Sequence, residues 1–318
     1  MSDQMTSSAR TDRHPNFEHV AVYHAGDDDL ADKLVPDIGQ ALEHGHAVLV
    51  CSSRPVWQRI ATQLGPRSDD VEYVPDEVRY DHPNISMRIL HDFARDRARG
   101  GAKVVWSIGA VPFNGDDLRN ADWVRYEQAV NEVLQHLPLR AVCTYDVTTT
   151  PAALLDEARC THTNRDGTAA TVRAVHVSPV LAPITVPAGD PLLRLQVHSS
   201  RSARHTVAEA YRELIDDDAL ADLVLIVSEV VSNALTHGEP PVTLSTWFDS
   251  EALSSVVDVT DCGPGIDDPF IDLRPPRQRP GGAGMWIVGQ LSERVTTEHV
   301  DGVHHVTVSL GHRRPAAD

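Results

Sequence analysis

The chain has 318 residues, a formal net charge of −18 and four cysteines, Cys51, Cys143, Cys160 and Cys262, without paired spacing. That length suggests about two domains; the acidity disfavours nucleic acid and anionic membranes as direct partners and suits a basic protein surface; and the scattered cysteines fit reduced thiols, not a disulfide framework. No apolar run approaches the ~20 residues needed to span a bilayer, and the polar start MSDQMTSSARTDRHPN lacks the apolar stretch of a secretion signal, so a cytoplasmic protein is expected.

Residues 1–15 read as a disordered tail. EHVAVYHA (18–25) is a predicted strand. Asp27 to His44 has helical periodicity with acids in its first turn, as the helix dipole favours, and Pro36 is expected to kink or split it. HAVLVC (46–51) is a strand, Pro55 to Leu64 a helix and VEYV (71–74) a short extended piece. Ile85 to Arg99 is helical, AKVVWSI (102–108) an apolar strand, Leu118 to Leu137 helical, LRAVCTYD (139–146) a buried strand and Pro151 to Cys160 a closing helix. Apolar strands alternating with helices predict an α/β domain over 16–177 with a doubly wound, mostly parallel sheet.

Such sheets bind ligands beyond the carboxyl ends of their strands. The first strand-to-helix loop, HAGDDDL, is no phosphate cradle, because Asp27, Asp28 and Asp29 would repel a triphosphate. Trp106, Trp123, Tyr126, Glu127, Tyr145 and Asp146 either line a small-molecule pocket or serve as core aromatics and caps. YEQAVNEVL (126–134), AVCTYD (141–146) and THTN (161–164) resemble the sensory domain named for methanogens and methylotrophs (MEDS), a relative of RecA-like ATPases without the phosphate loop. The resemblance covers roughly residues 15–165 and implies a signal-receiving role for an unspecified small-molecule ligand. Seventeen histidines invite a metal centre. The nearest sets, His44 with His46, Cys160 with His162 and His304 with His305, lack a second pair at zinc-finger spacing, so surface or structural histidines are expected.

SPVLAPITVPAGDPLL carries prolines at 179, 183, 187 and 191, which prevent a helix and predict an extended linker over 178–192. The second domain spans 193–311, with a tail over 312–318. It opens with HSSRSARHTVAEAYRELI, where Ser199 or Ser200 can cap a helix running to Ile215 and Arg201 and Arg204 sit early.

DLVLIVSEVVSNALTHG (222–238), read as a helix, sets Glu229, Asn233 and His237 four residues apart on one face, opposite Leu223, Ile226, Val227, Val230, Val231 and Ala234. The carboxylate can orient or deprotonate a nucleophile, and the amide oxygen can ligate Mg²⁺. Next, SSVVDVTD alternates as a strand and opens into DCGPGI, where Asp261 can accept a hydrogen bond from an exocyclic amine such as adenine N6, and Gly263 and Gly265 permit close ligand approach. In RPGGAGMWIVGQLSERV (279–295), Gly281, Gly282 and Gly284 precede an apolar periodic run, so a helix N-terminus is predicted with N–H groups available to phosphate. No Lys follows, which excludes a Walker loop.

This ordered set resembles the ATPase domain shared by gyrase, heat-shock chaperones and histidine kinases, the GHKL superfamily, over about 192–311. SEVVSNALTHG and GGAGMWIVGQLSERV resemble its bacterial anti-sigma factor serine/threonine kinase branch. The resemblance implies an α/β sandwich of helices on a mixed, mostly antiparallel sheet, with ATP and Mg²⁺ under a mobile lid at about 267–283. By that match Glu229 is the catalytic base, Asn233 the Mg²⁺ ligand and Asp261 the adenine reader. Gly263 and Gly265 form one glycine box, and Gly282 and Gly284 the other, beside Gly281. Arg204 falls where the family carries a partner-contacting arginine, and a solvated basic patch is the alternative. Arg274, Arg277 and Arg279 are phosphate neighbours or an exposed basic loop. The family carries threonines on the last strand, near the phosphates, where this chain has His304 and His305.

The expected function is an ATP-binding anti-sigma factor that sequesters a sigma factor and phosphorylates a serine or threonine of a STAS-type antagonist, under control of the first domain. Self-association into a homodimer is compatible with it. The alternative is a binding module that holds ATP as a structural ligand, which the two histidines favour. A sensor histidine kinase fits less well, because the proline-rich segment stands where a phosphoacceptor helix pair would be.

Overall fold

The computed structural model describes residues 13–113, 115–163, 182–276 and 282–312. The chain divides into two units, Met1–His176 and Val177–Asp318.

The first unit alternates strand and helix: β1 Glu18–His24, α1 Asp27–Glu43, β2 Ala47–Ser52, α2 Arg54–Leu64, β3 Val71–Pro75, the single turn α3 Asp76–Arg79, α4 Pro83–Arg99, β4 Val105–Gly109, α5 Asp117–Val133, β5 Leu139–Asp146 and α6 Ala152–Thr161. The strands form one sheet in the order β1-β5-β4-β2-β3, and every pairing is parallel. Val48, Val50, Ile108 and Val142 are buried against Leu34 and Ile38 of α1 and Ile60 of α2. This burial explains the uninterrupted apolar strands.

Pro36 neither splits nor ends α1. Its missing N–H frees the carbonyl of Asp32, and both residues are exposed, so water can satisfy that oxygen. Leu30, Leu34, Ile38 and Ala41 hold the two halves of the helix to one core. Helix α5 ends at Val133, four residues before the predicted end.

The second unit contains β6 Leu193–Gln196, α7 Ser200–Tyr211, α8 Asp217–His237, β7 Thr243–Asp249, β8 Ser254–Asp261, α9 Gly284–Leu291, β9 Arg294–Val300 and β10 Val303–Gly311. Its sheet runs β6-β7-β8-β10-β9, and every described pairing is antiparallel. Alternate residues of the central strands, Val257 and Val259 on β8 and Val306 and Val308 on β10, face a core shared with α8. Asp216 caps α8 by accepting a hydrogen bond from the Ala219 N–H at 2.7 Å, and Asp217 and Asp218 complement the helix dipole. Ser199 stands at the N-cap of α7 without a side-chain cap bond, and α7 stops at Tyr211, short of Ile215.

By length and composition alone the 21-residue α8 could cross a membrane, although Asp217, Asp218, Asp222 and Glu229 interrupt its apolar character. Its apolar character has another use here. Leu223, Ile226, Val227, Val230, Val231 and Ala234 are buried in the core, and the five larger side chains contribute up to roughly 3 kcal/mol each by leaving water.

Candidate functional site

Glu229 and Asn233 are half-buried on α8, one helical turn apart. The start of α9 comes down directly on Glu229. A Cβ built on Gly284 would lie 2.6 Å from Glu229 Oε2, so only glycine lets the backbone approach the carboxylate this closely. Gly282, two residues earlier, has φ of +82°, the left-handed region that glycine adopts without steric cost. One end of the site is therefore a carboxylate against a helix N-terminus, with the Asn233 amide on the same helix face.

The other end is built around Asp261, which is buried at the end of β8. Its Oδ1 accepts a hydrogen bond from the Gly263 N–H at 2.7 Å. Gly238, just past α8, packs against the Asp261 carboxyl group so tightly that a Cβ would overlap it. A Cβ on Gly263 would in turn lie 2.7 Å from the Gly238 Cα. The Cys262 N–H donates to the Glu239 carbonyl at 2.8 Å, tying the two loops together.

His304 on β10 is paired in register with Asp261, and its Nδ1 lies 3.3 Å from Asp261 Oδ2. It also borders Gly265, whose φ is +85°. The sequence expectation placed His304 and His305 near the phosphates. His304 instead stands at the Asp261 end, on the core side of the sheet with Val306. His305 and Thr307 alternate to the opposite face and both contact Asp258, the Thr307 hydroxyl donating to Oδ1 at 3.0 Å.

Arg204 is exposed on α7. Arg274 forms a two-pronged contact with Asp268, at 2.6 and 3.2 Å, so its guanidinium is engaged within the proposed lid segment itself. Gly281, Arg277 and Arg279 lie outside the described residues. All four cysteines are free; Cys51 and Cys143 are buried, while Cys160 is half-buried and Cys262 exposed.

In the first unit a cavity of about 490 Å³ opens at the carboxyl ends of the strands. Its walls include His24 after β1, Cys51 and Ser52 of β2, Ile108 and Gly109 of β4, and Thr144 and Asp146 of β5. Leu30 and Leu34 of α1 and Val56 and Ile60 of α2 form an apolar part of its wall, and Asp27, Asp76, Asn120 and Thr149 add to its polar part. Of the six sequence-predicted pocket residues, only Asp146 lines it. Trp106 sits toward the amino end of β4, its Nε1–H donating to His46 Nδ1 at 3.1 Å and Arg140 lying 4.6 Å from its ring. Trp123 and Tyr126 are fully buried in an edge-to-face contact, with Tyr126 beside the Arg79 guanidinium. Tyr145 packs against His162, and Glu127 is buried between His19 and His162.

Residues 18–163 match the family model of MEDS, the methanogen/methylotroph, DcmR sensory domain. Residues 193–310 match that of the histidine kinase-like ATPase domain. The chain joins a MEDS domain to a histidine kinase-like ATPase domain. No curated protein matches it. Among solved structures, the RsbU and RsbW domains of Rv1364c from Mycobacterium tuberculosis are similar at 20% identity and a TM-score of 0.30, over 39% of this chain and 33% of that chain. The match thus spans only a third of that protein's length.

Within the ATPase domain, sequence reasoning missed Gly238, whose role is steric and appears only when α8 meets the loop after β8. Within the MEDS domain it missed the cavity, whose wall residues come from many separate segments and carry no shared motif.

Proposed function

We propose that the ATPase domain binds ATP with Mg²⁺ and acts as an anti-sigma regulator, transferring the γ-phosphoryl group to a serine or threonine of an antagonist protein. The reading is carried by the contact between Gly284 and Glu229, a cradle that any Cβ would fill, which sets a carboxylate beside a helix N-terminus able to receive phosphate. The hard oxygen of Asn233 suits Mg²⁺, which when bound would offset the charge of the phosphates. Glu229 would take the proton as the substrate hydroxyl oxygen bonds to the γ-phosphorus, and the bond to the bridging oxygen of the leaving ADP breaks. Asp261 would accept the adenine amine at the opposite end. Arg204, exposed on α7, would contact a sigma factor or the antagonist.

A second reading, ATP as a structural ligand without transfer, is favoured by His304, an imidazole in contact with the base-reading carboxylate. Incubating the full chain with labelled ATP·Mg and a STAS-type antagonist separates the two. Label on the antagonist that disappears with Glu229→Ala supports the kinase; retained nucleotide without transfer supports the structural ligand. Absence of ATP binding by calorimetry would overturn both.

The MEDS domain, joined through residues 178–192, would hold a small-molecule ligand in the 490 Å³ cavity, whose wall offers both aliphatic and polar side chains, and modulate partner binding in the cytoplasm. Removing residues 1–178 should then change partner affinity.

A further inference from the structure

Four buried side chains of the MEDS domain bring one donor atom each to a single point: His19 on β1, Glu127 on α5, Cys143 on β5 and His162 just after α6. All four donor atoms lie within 4.8 Å of one another. Both Nε2 atoms touch Glu127 Oε2, at 3.0 Å from His19 and 2.9 Å from His162, and His19 Nε2 lies 3.3 Å from Cys143 Sγ.

The neighbours of the two imidazoles assign their protons. His19 Nδ1 faces the Asn131 side-chain oxygen at 3.2 Å, and Asn131 is oriented by its amide donating to the Thr161 carbonyl at 3.0 Å. His162 Nδ1 faces the Ala158 carbonyl at 2.8 Å, and the Thr161 hydroxyl beside it is directed to the Glu157 and Ala158 carbonyls. Each Nδ1 therefore carries the hydrogen, and each Nε2 presents a lone pair. The Tyr145 hydroxyl reaches His162 Nε2 only at 3.4 Å.

Two lone pairs thus point at a carboxylate that is 2% exposed, and neither Glu127 oxygen receives a hydrogen bond. That arrangement is repulsive unless a cation lies among the donors. In a tetrahedral site with metal–ligand bonds of roughly 2.0–2.3 Å, donors are about 3.3–3.8 Å apart, close to the spread found here. An Nδ1–H held by a carbonyl or amide oxygen is the usual outer support of a metal-bound histidine. One carboxylate and one thiolate would also neutralise a divalent ion, as burial requires.

We propose that His19 Nε2, His162 Nε2, Glu127 and Cys143 Sγ form a closed, four-coordinate site for a borderline-soft divalent cation, Zn²⁺ by its mixed N, S and O donors. The site pins the chain after α6 to β1, where Thr163 forms an isolated bridge with Val20. It is independent of the nucleotide reading.

The test uses the full chain, stripped with a chelator, checked for folding by circular dichroism and titrated with Co²⁺ and Zn²⁺. The expected result is about one ion per chain, with visible bands of tetrahedral cobalt and a thiolate-to-cobalt charge-transfer band. That band should be lost in Cys143→Ser and kept in Cys160→Ser, and His162→Gln should weaken uptake at least tenfold. A folded wild-type chain that takes up neither ion would overturn the proposal. So would uptake whose charge-transfer band survives Cys143→Ser, since another of the four cysteines would then ligate the ion.

Discussion

His304 and Asp261 face each other across β10 and β8, Nδ1 to Oδ2 at 3.3 Å, while Asp261 Oδ1 is taken by the Gly263 N–H. Both carboxylate oxygens are already engaged, so in the proposed nucleotide site the second lone pair of one would serve the purine amine. Asp261→Asn keeps an oxygen for Gly263 and presents an NH₂ group where the purine amine would donate. ATP affinity should fall about 10- to 100-fold, in line with roughly 1.5–3 kcal/mol for a charge-assisted hydrogen bond. Calorimetry on material with an unchanged unfolding midpoint measures it.

Gly284→Ala would place a methyl group 2.6 Å from Glu229 Oε2. The obstacle is the far end of a flexible side chain, so Glu229 swings aside and the fold survives. Phosphoryl transfer to the antagonist should fall at least tenfold with little change in melting temperature, read by label transfer beside a thermal scan.

Gly238→Ala is a different case. Its Cβ would overlap the Asp261 carboxyl group and come within 2.7 Å of the Ala234 carbonyl, which is backbone and cannot step away. Overpacking of this kind costs about 1–3 kcal/mol. Urea unfolding of the full chain should show the loss in the transition of the ATPase domain.

His91 on α4 is buried beside Leu90 and Phe93. Burial holds its imidazole below the ordinary 6.5, against the opposing pull of Asp92. Above pH 6.5 both folded and unfolded states are neutral there; below it the unfolded chain takes up the proton more readily. The MEDS domain should therefore lose stability as pH falls below about 6.5, and His91→Gln should flatten that decline. Unfolding midpoints measured from pH 7.5 down to about 5.5 test the sign.

The strands and helices of the MEDS domain were legible because buried parallel strands are apolar throughout, and the residues proposed for ATP stood out because they sit within local motifs. What failed to read did so for physical reasons. Pro36 looked like a helix break, yet its freed carbonyl faces water. Trp123, Tyr126 and Tyr145 read either as pocket walls or as core aromatics, and their full burial decides for the core. The converging histidines escaped notice because residues 19, 127, 143 and 162 share no spacing. His162 had suggested Cys160 as its partner, but folding brings it to Cys143.

The interlock of Gly238 and Gly263 has a lasting effect on what this lineage of sequences can explore. Gly263 cannot gain a Cβ while the Gly238 backbone and the Asp261 carboxyl stay put, and Gly238 cannot gain one while that same carboxyl and the Ala234 carbonyl stay put. Natural variation at the two should be frozen together, and any variant that escapes must first reroute the crossing of the two loops.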